Sequence, residues 1–217
     1  MIVDERVSCY IKSLTACNSN FLEELREKAL EDKVPIIKRE TESLLKTLLL
    51  LKKPKKILEV GTAVAYSSLV MAEVLEGKTK ISTIENYEKR VLEARKNIAG
   101  SNYLNTIHLI EEDASKVLKK LVEKKEKYDF IFMDAAKGQY INWLEPVIKL
   151  LNKEGVLCSD NVLQGGDIVQ SRYLIERRDR SIHSRLREYL YELTHREELS
   201  TTILSLGDGV ALTVLKK

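Results

Sequence analysis

The period of apolar positions changes several times along the chain. Phe21, Leu22, Leu25 and Leu30 follow a capping pair, Asn18 and Ser19, at roughly helical spacing. A second helix is predicted from Ile37, just after Pro35, through Leu44, Leu45 and Leu48 to Leu51. Beyond residue 53 the pattern becomes short apolar runs: Ile57–Val60, Lys80–Ile84, Thr106–Ile110, Tyr128–Met133 and Gly155–Cys158 predict strands. Between them, Tyr66–Leu75, Tyr87–Ile98, Ala114–Val122 and Gln139–Leu151 predict helices. Strands alternating with amphipathic helices imply βαβ units, hence an α/β fold with a mostly parallel sheet covered on both faces. The rhythm breaks at the end, where Thr201–Leu206, Gly207-Asp208-Gly209 and Val210–Leu215 predict a hairpin with one antiparallel strand. The expected organisation is one domain over residues 1–217, with an N-terminal helical cap over 1–53 and an α/β core over 54–217.

Composition narrows the class. With 44% hydrophobic and 32% charged residues, a chain of 217 residues has enough apolar material for a core and too little charge imbalance for disorder. Leu48–Leu51 is flanked by lysines and falls far short of a membrane span. The opening MIVDERVSCY is acidic and polar where a secretory signal is basic and then apolar, and the odd set Cys9, Cys17 and Cys158 suits reduced thiols. A cytoplasmic protein without a membrane partner is expected.

Net charge is +3, which says little, but its distribution says more. Six of the 12 arginines, Arg172, Arg177, Arg178, Arg180, Arg185 and Arg187, fall within 16 residues, opposed only by Glu176 and Asp179.

In open α/β sheets ligands bind beyond the carboxyl ends of the strands, where strand order reverses. Those ends are acidic here: Glu59 in the first, Glu85 after the second, Asp113 after the third, Asp134 after the fourth and Asp160-Asn161 after the fifth. Gly61 permits close backbone approach to a ligand, and Glu85 stands where an acid accepts bonds from ribose hydroxyls. Taken singly, each acid is also an ordinary helix cap or loop carboxylate. A nicotinamide site is disfavoured, because G-x-G-x-x-G is absent after the first strand.

The first loop, E-V-G-T-A-V-A-Y-S over residues 59–67, together with this acidic series, resembles the S-adenosylmethionine-dependent O-methyltransferases of the catechol and caffeoyl-CoA type. The resemblance covers roughly residues 35–217 and implies a Rossmann-like methyltransferase sheet. It implies cofactor contacts at Glu59, Gly61, Tyr66, Ser67, Glu85, Asp113, Ala114 and Asp134, with Asp113 facing the adenine amine. Ala65 stands where the pattern has its second glycine, and its methyl is expected to narrow the space over the methionine part of the cofactor.

The same resemblance makes Asp134, Asp160 and Asn161 metal ligands. This all-oxygen set suits Mg²⁺ or another hard divalent cation and is poor for zinc. In the runs F-M-D-A-A-K and S-D-N, Lys137 corresponds to the lysine that takes the acceptor's hydroxyl proton; the bland alternative is a surface lysine. Trp143 and Tyr140 are candidates for the acceptor pocket, or for a helix face packed on the sheet. The three histidines lack zinc-ligand spacing.

Vicinal oxygens occur in catechols, in phenolic CoA esters and in 5-hydroxyuridine, so three acceptor classes compete. V-P-I-I-K-R-E at residues 34–40, the arginine-rich stretch and L-G-D-G-V at residues 206–210 resemble the bacterial tRNA 5-hydroxyuridine methyltransferases, which form 5-methoxyuridine at the wobble position. The resemblance implies tRNA as partner, the six clustered arginines as its contacts, and a homodimer. A small-molecule O-methyltransferase and a non-catalytic nucleotide- or RNA-binding module, the latter suggested by Ala65, are the competing expectations.

Overall fold

The computed structural model describes residues 4–216. Seven strands, β1 (Lys56–Val60), β2 (Lys80–Glu85), β3 (Ile107–Glu111), β4 (Tyr128–Met133), β5 (Leu151–Ser159), β6 (Leu199–Leu204) and β7 (Val210–Leu215), form one sheet. Its order is β3-β2-β1-β4-β5-β7-β6, with β1 to β5 parallel and β7 antiparallel to both β5 and β6. The chain winds outward from β1 to β3 and then restarts at β4 on the other side of β1. That reversal opens a crevice beyond the carboxyl ends of β1 and β4.

The strands in the middle of the sheet are buried on both faces, and so read as continuous apolar runs. One core holds Ile57, Phe130 and Phe132 beneath α2 (Asn20–Glu31), α3 (Arg39–Lys52), α4 (Tyr66–Val74) and α5 (Glu88–Ala99). The other holds Leu58, Val60 and Ile131 beneath α6 (Ala114–Glu123), α7 (Tyr140–Leu150) and α8 (Arg180–His195). Leu22, Leu25, Leu45 and Leu49 of α2 and α3 share the first core, so these N-terminal helices pack with the α/β body.

Three boundaries differ from the sequence pattern. A further helix, α1 (Glu5–Leu14), is capped by Asp4, whose side chain accepts from the Arg6 amide at 2.8 Å. It buries no residue, although Val7, Tyr10, Ile11 and Leu14 recur along it at helical spacing. Strand β5 begins at Leu151, four residues before the predicted start, because residues 152–155 bulge between the pairings Tyr128↔Leu151 and Phe130↔Val156. Strand β6 runs Leu199–Leu204 rather than Thr201–Leu206: the hairpin loop spans residues 205–209, closed by the Gly209 amide donating to the Leu206 carbonyl at 2.8 Å. Among the described residues no helix is long and apolar enough to cross a membrane.

Candidate active site

A cavity of about 510 Å³ occupies the crevice. Its lining includes Gly61, Tyr66, Ser67, Glu85, Asp113, Ala114, Asp134, Lys137 and Asn161, contributed by the segments that follow β1 to β5. The topology therefore gathers most of the predicted site residues. Gly61 has φ +103°, and a Cβ there would lie 2.1 Å from the Asp134 carbonyl oxygen. The glycine is required chiefly because two strand ends touch, rather than by ligand approach alone.

Glu85 is fixed in place before any ligand arrives. One carboxylate oxygen accepts from the Ala63 amide at 2.9 Å, the other from the amides of Asn86 and Tyr87 at 3.0 Å. Asp113 caps α6, accepting from the Lys116 amide at 3.2 Å, while it also faces the cavity. Cap and ligand contact are thus compatible at this residue.

Two residues of the first loop do not reach the cavity. Glu59 is fully buried within β1, and its side chain accepts from the hydroxyls of Ser67, Ser68 and Thr83. Register explains this: Glu59 pairs with Thr83 on β2, so the pleat turns both toward α4. Burial pushes the Glu59 carboxyl up to about 7 against the pull of its three hydroxyl donors. Glu59 braces the loop and α4 from below. Ala65, in turn, has the left-handed φ of 66° at the start of α4 and is packed in the core. Its methyl does not line the cavity, so the expected narrowing over the cofactor is not found.

Tyr66 lines the cavity while its hydroxyl donates to Glu42 Oε2 at 2.7 Å. Glu42 is fully buried and also meets Asn18 Nδ2 at 2.8 Å and Lys46 Nζ at 3.0 Å. Burial raises its pKa, but the bonds from Tyr66, Asn18 and Lys46 outweigh that and hold it below the usual carboxylate range. The helical cap thereby grips a cavity residue directly. Pro35, Ile36 and Ile37, just ahead of α3 and within the V-P-I-I-K-R-E segment, form another part of the wall.

Met133 pairs with Ser159, which sets Asp134 and Asp160 side by side at the ends of β4 and β5. Lys137 Nζ donates to Asp134 Oδ1 at 2.6 Å. Asp160 is 3% exposed, and its Oδ1 has no hydrogen-bond partner. Burial, and then the Asp134 charge, push the Asp160 carboxyl up to about 7. Asn161 adopts a left-handed φ of 59° and lines the cavity beside them. Among the described residues no three His, Cys, Asp or Glu side chains cluster as a metal site; the set is two carboxylates and an amide. An orphaned buried carboxylate oxygen next to a second carboxylate is the arrangement a hard cation would complete, so these residues fit one.

Tyr140 and Trp143 separate. Trp143 lines the cavity and donates from Nε1 to Ser115 Oγ at 2.9 Å. Tyr140 is fully buried, with its hydroxyl 3.0 Å from the Met133 carbonyl and 3.3 Å from that of Asp160. It ties together the two strand ends that carry the acids, a role with no sequence signature.

The six arginines also divide. Arg180 bonds the carbonyls of Ile175 and Tyr173, Arg185 that of Gly138, and Arg187 that of Ile168. Arg178 pairs with Glu176 and Asp179. Arg172 and Arg177 are exposed and make no ion pair among the described residues.

A doubly wound sheet with a glycine loop after β1, an acid after β2 and a capping acid after β3 defines a class I methyltransferase. The chain belongs to the O-methyltransferase family, whose match spans residues 12–217, and within it to the S-adenosylmethionine-dependent enzymes of the caffeoyl-CoA O-methyltransferase type. It is 33% identical over 172 residues to a flavonoid 3',5'-methyltransferase of Vitis vinifera, covering 76% of this chain and 72% of that one. Caffeoyl-CoA O-methyltransferase of Citrus natsudaidai is 31% identical over 172 residues, covering 73% and 70%. A crystal structure from Staphylococcus aureus, provisionally called a caffeoyl-CoA O-methyltransferase, superposes with a TM-score of 0.88 at 31% identity over 98% of this chain and 100% of that one.

Proposed function

We propose that the protein transfers a methyl group from S-adenosylmethionine to the 5-hydroxyl of 5-hydroxyuridine at the tRNA wobble position, giving 5-methoxyuridine. The observation that carries this reading is the arginine-rich segment beside the cavity: Arg185 bonds Gly138, the residue after Lys137, so α8 and the chain leading into it border the paired acids. Asp134, Asp160 and Asn161 are the residues that would hold Mg²⁺ or another hard divalent cation. Bound there, such a cation would lower the pKa of an acceptor hydroxyl and favour its anion. Lys137, as the neutral amine, takes the hydroxyl proton on Nζ and becomes the ammonium that Asp134 Oδ1 accepts from. Glu85 receives the ribose hydroxyls of the methyl donor, and Asp113 with Ala114 meets its adenine. The whole chain acts as one unit, because α2 and α3 share the first core and the segment between them walls the cavity.

A phenolic small molecule or CoA ester is the second reading, favoured by the names of the plant relatives. A non-catalytic binding module has lost its motive, since Ala65 lies in the core and leaves the cavity unobstructed. Purified protein with Mg²⁺ and S-adenosylmethionine is expected to methylate hydroxyuridine-containing tRNA in preference to catechol or caffeoyl-CoA. Efficient turnover of either small acceptor with the tRNA left unmodified would overturn the assignment.

A further inference from the structure

Between β5 and α8 the chain forms a strap whose ends are pinned and whose middle is bare. Ile168 and Ile175 are buried, at 5% and 7% exposure. Between them, Val169, Tyr173 and Leu174 are 81%, 84% and 75% exposed, a large apolar display for six residues of surface. The backbone beneath is not loose. Arg180 Nε donates to the Ile175 carbonyl at 3.0 Å and its Nη2 to the Tyr173 carbonyl at 3.3 Å. Arg187 holds the Ile168 carbonyl at 3.3 Å, and the buried His183 ring meets that of Gln170 at 3.2 Å. Tyr173 is thus an aromatic presented to solvent from a hydrogen-bonded backbone.

Its neighbours set the chemistry. Among the described residues Arg172 and Arg177, within five residues of each other, are the two rim arginines with no acid partner and no carbonyl to hold, so their charges are available to a ligand. The strap also lies near the catalytic end of the sheet. Arg180 under Tyr173 and Arg185 at Gly138 are five residues apart on α8, roughly 7.5 Å along the axis at the usual helical rise.

We infer that this strap is a binding platform for unpaired RNA, with the Tyr173 ring stacked on a base next to the reacting nucleotide and Arg172 and Arg177 on the adjoining phosphates. The inference rests on the tRNA reading and sharpens it: the partner must offer splayed bases, as a loop does, and not a continuous duplex. A stacked aromatic with flanking guanidiniums is how single strands are held, whereas a paired helix hides the base faces that Tyr173 needs. A membrane surface fits less well. The strap offers three apolar side chains without the continuous face of an amphipathic helix. Of the other four arginines, Arg178 pairs with Glu176 and Asp179 while Arg180, Arg185 and Arg187 clamp carbonyls, with Arg180 the positioning residue for Tyr173.

The test measures binding by fluorescence anisotropy with a labelled RNA hairpin whose loop contains ordinary uridine, so it does not depend on methyl transfer. Tyr173→Ala is expected to weaken hairpin binding roughly 5- to 150-fold, the range for loss of one base–aromatic stack. Tyr173→Phe, which keeps the ring, should bind within about twofold of the parent, the signature of stacking rather than of a hydroxyl contact. Replacing Arg172 and Arg177 together by Ala should reduce the magnitude of the slope of log affinity against log salt by about 1.4, two single-strand phosphate contacts. Equal binding by Tyr173→Ala and the parent overturns the inference, as does a preference of the parent for a blunt duplex. So does binding to anionic vesicles but not to RNA, or a dimer that dissociates on Tyr173→Ala with RNA binding intact. A hairpin carrying hydroxyuridine that binds through Tyr173 but is never methylated would sink the acceptor assignment and leave the platform standing.

Discussion

Lys137 Nζ lies 2.6 Å from Asp134 Oδ1, one turn along the chain and inside the cavity wall. Nζ can accept a proton only as the neutral amine, so it must first shed the ammonium proton it shares with Asp134. If it takes the proton, Lys137→Met should lower kcat by about 10²- to 10⁴-fold, the usual range for a general base, with S-adenosylmethionine affinity nearly unchanged. Steady-state kinetics beside calorimetric titration of the cofactor checks this, and a variant with parental kcat would return Lys137 to the status of a surface lysine.

Asp160 predicts a conflict between activity and stability. The residue is buried, one oxygen is unpartnered, and Asp134 repels it. Asp160→Asn keeps the shape and removes the charge, so without added cation it should raise stability at neutral pH by about 1–3 kcal/mol. Turnover should disappear while the methyl donor still binds. Denaturant melts and calorimetry on one preparation decide the matter; loss of both stability and cofactor binding would mean that the carboxylate has a structural task instead.

Glu59 supplies the pH dependence. Its folded-state pKa is raised from 4.5 to about 7, so between those values the folded chain holds a proton that the unfolded chain has lost. Its contribution to stability is then greatest below pH 4.5 and is lost as pH rises toward 7, by up to about 3 kcal/mol. Glu59→Gln should remove that slope. The measured quantity is the difference in unfolding free energy between parent and variant across this interval, and a flat difference contradicts the burial effect.

The loop after β1 gives two opposed glycine predictions. Ala65→Gly relieves a left-handed backbone at a residue away from the cavity, so it should stabilise the protein by about 0.5–1 kcal/mol and leave cofactor affinity within about twofold. Gly61→Ala forces a Cβ into the Asp134 carbonyl and should cost more than about 2 kcal/mol, with cofactor binding lost as the crevice distorts. Thermal melts in the presence and absence of S-adenosylmethionine separate the two.

The sheet and its crevice were legible because period and position both survive in a linear string. Five apolar runs, each closing on a carboxylate, predict a parallel sheet with a polar carboxyl end, and the cavity gathers Glu85, Asp113 and Asp134 there. Helix α1 carries an apolar stripe of Val7, Tyr10, Ile11 and Leu14 at helical spacing, but it buries none of them, so the stripe marks the helix without saying where it packs. The wall residues Ile36 and Ile37 look like any core isoleucine. Tyr140 looks like any aromatic of an amphipathic helix, although its hydroxyl joins the two acid-bearing strand ends.

Sequence by itself determined which chemical groups stand at the strand ends, since strand length and loop position follow from local pattern. Direction was left to the tertiary structure. The pleat of β1 against β2 turned Glu59 away from the crevice, and the turn into α4 sent the Ala65 methyl into the core. Packing of α8 against the loop after β4 and the segment after β5 set three of six arginines to holding carbonyls, and among the described residues left Arg172 and Arg177 without a partner. A charge cluster in sequence counts residues; only the folded chain assigns each guanidinium its partner, because those partners are backbone groups up to 47 positions away.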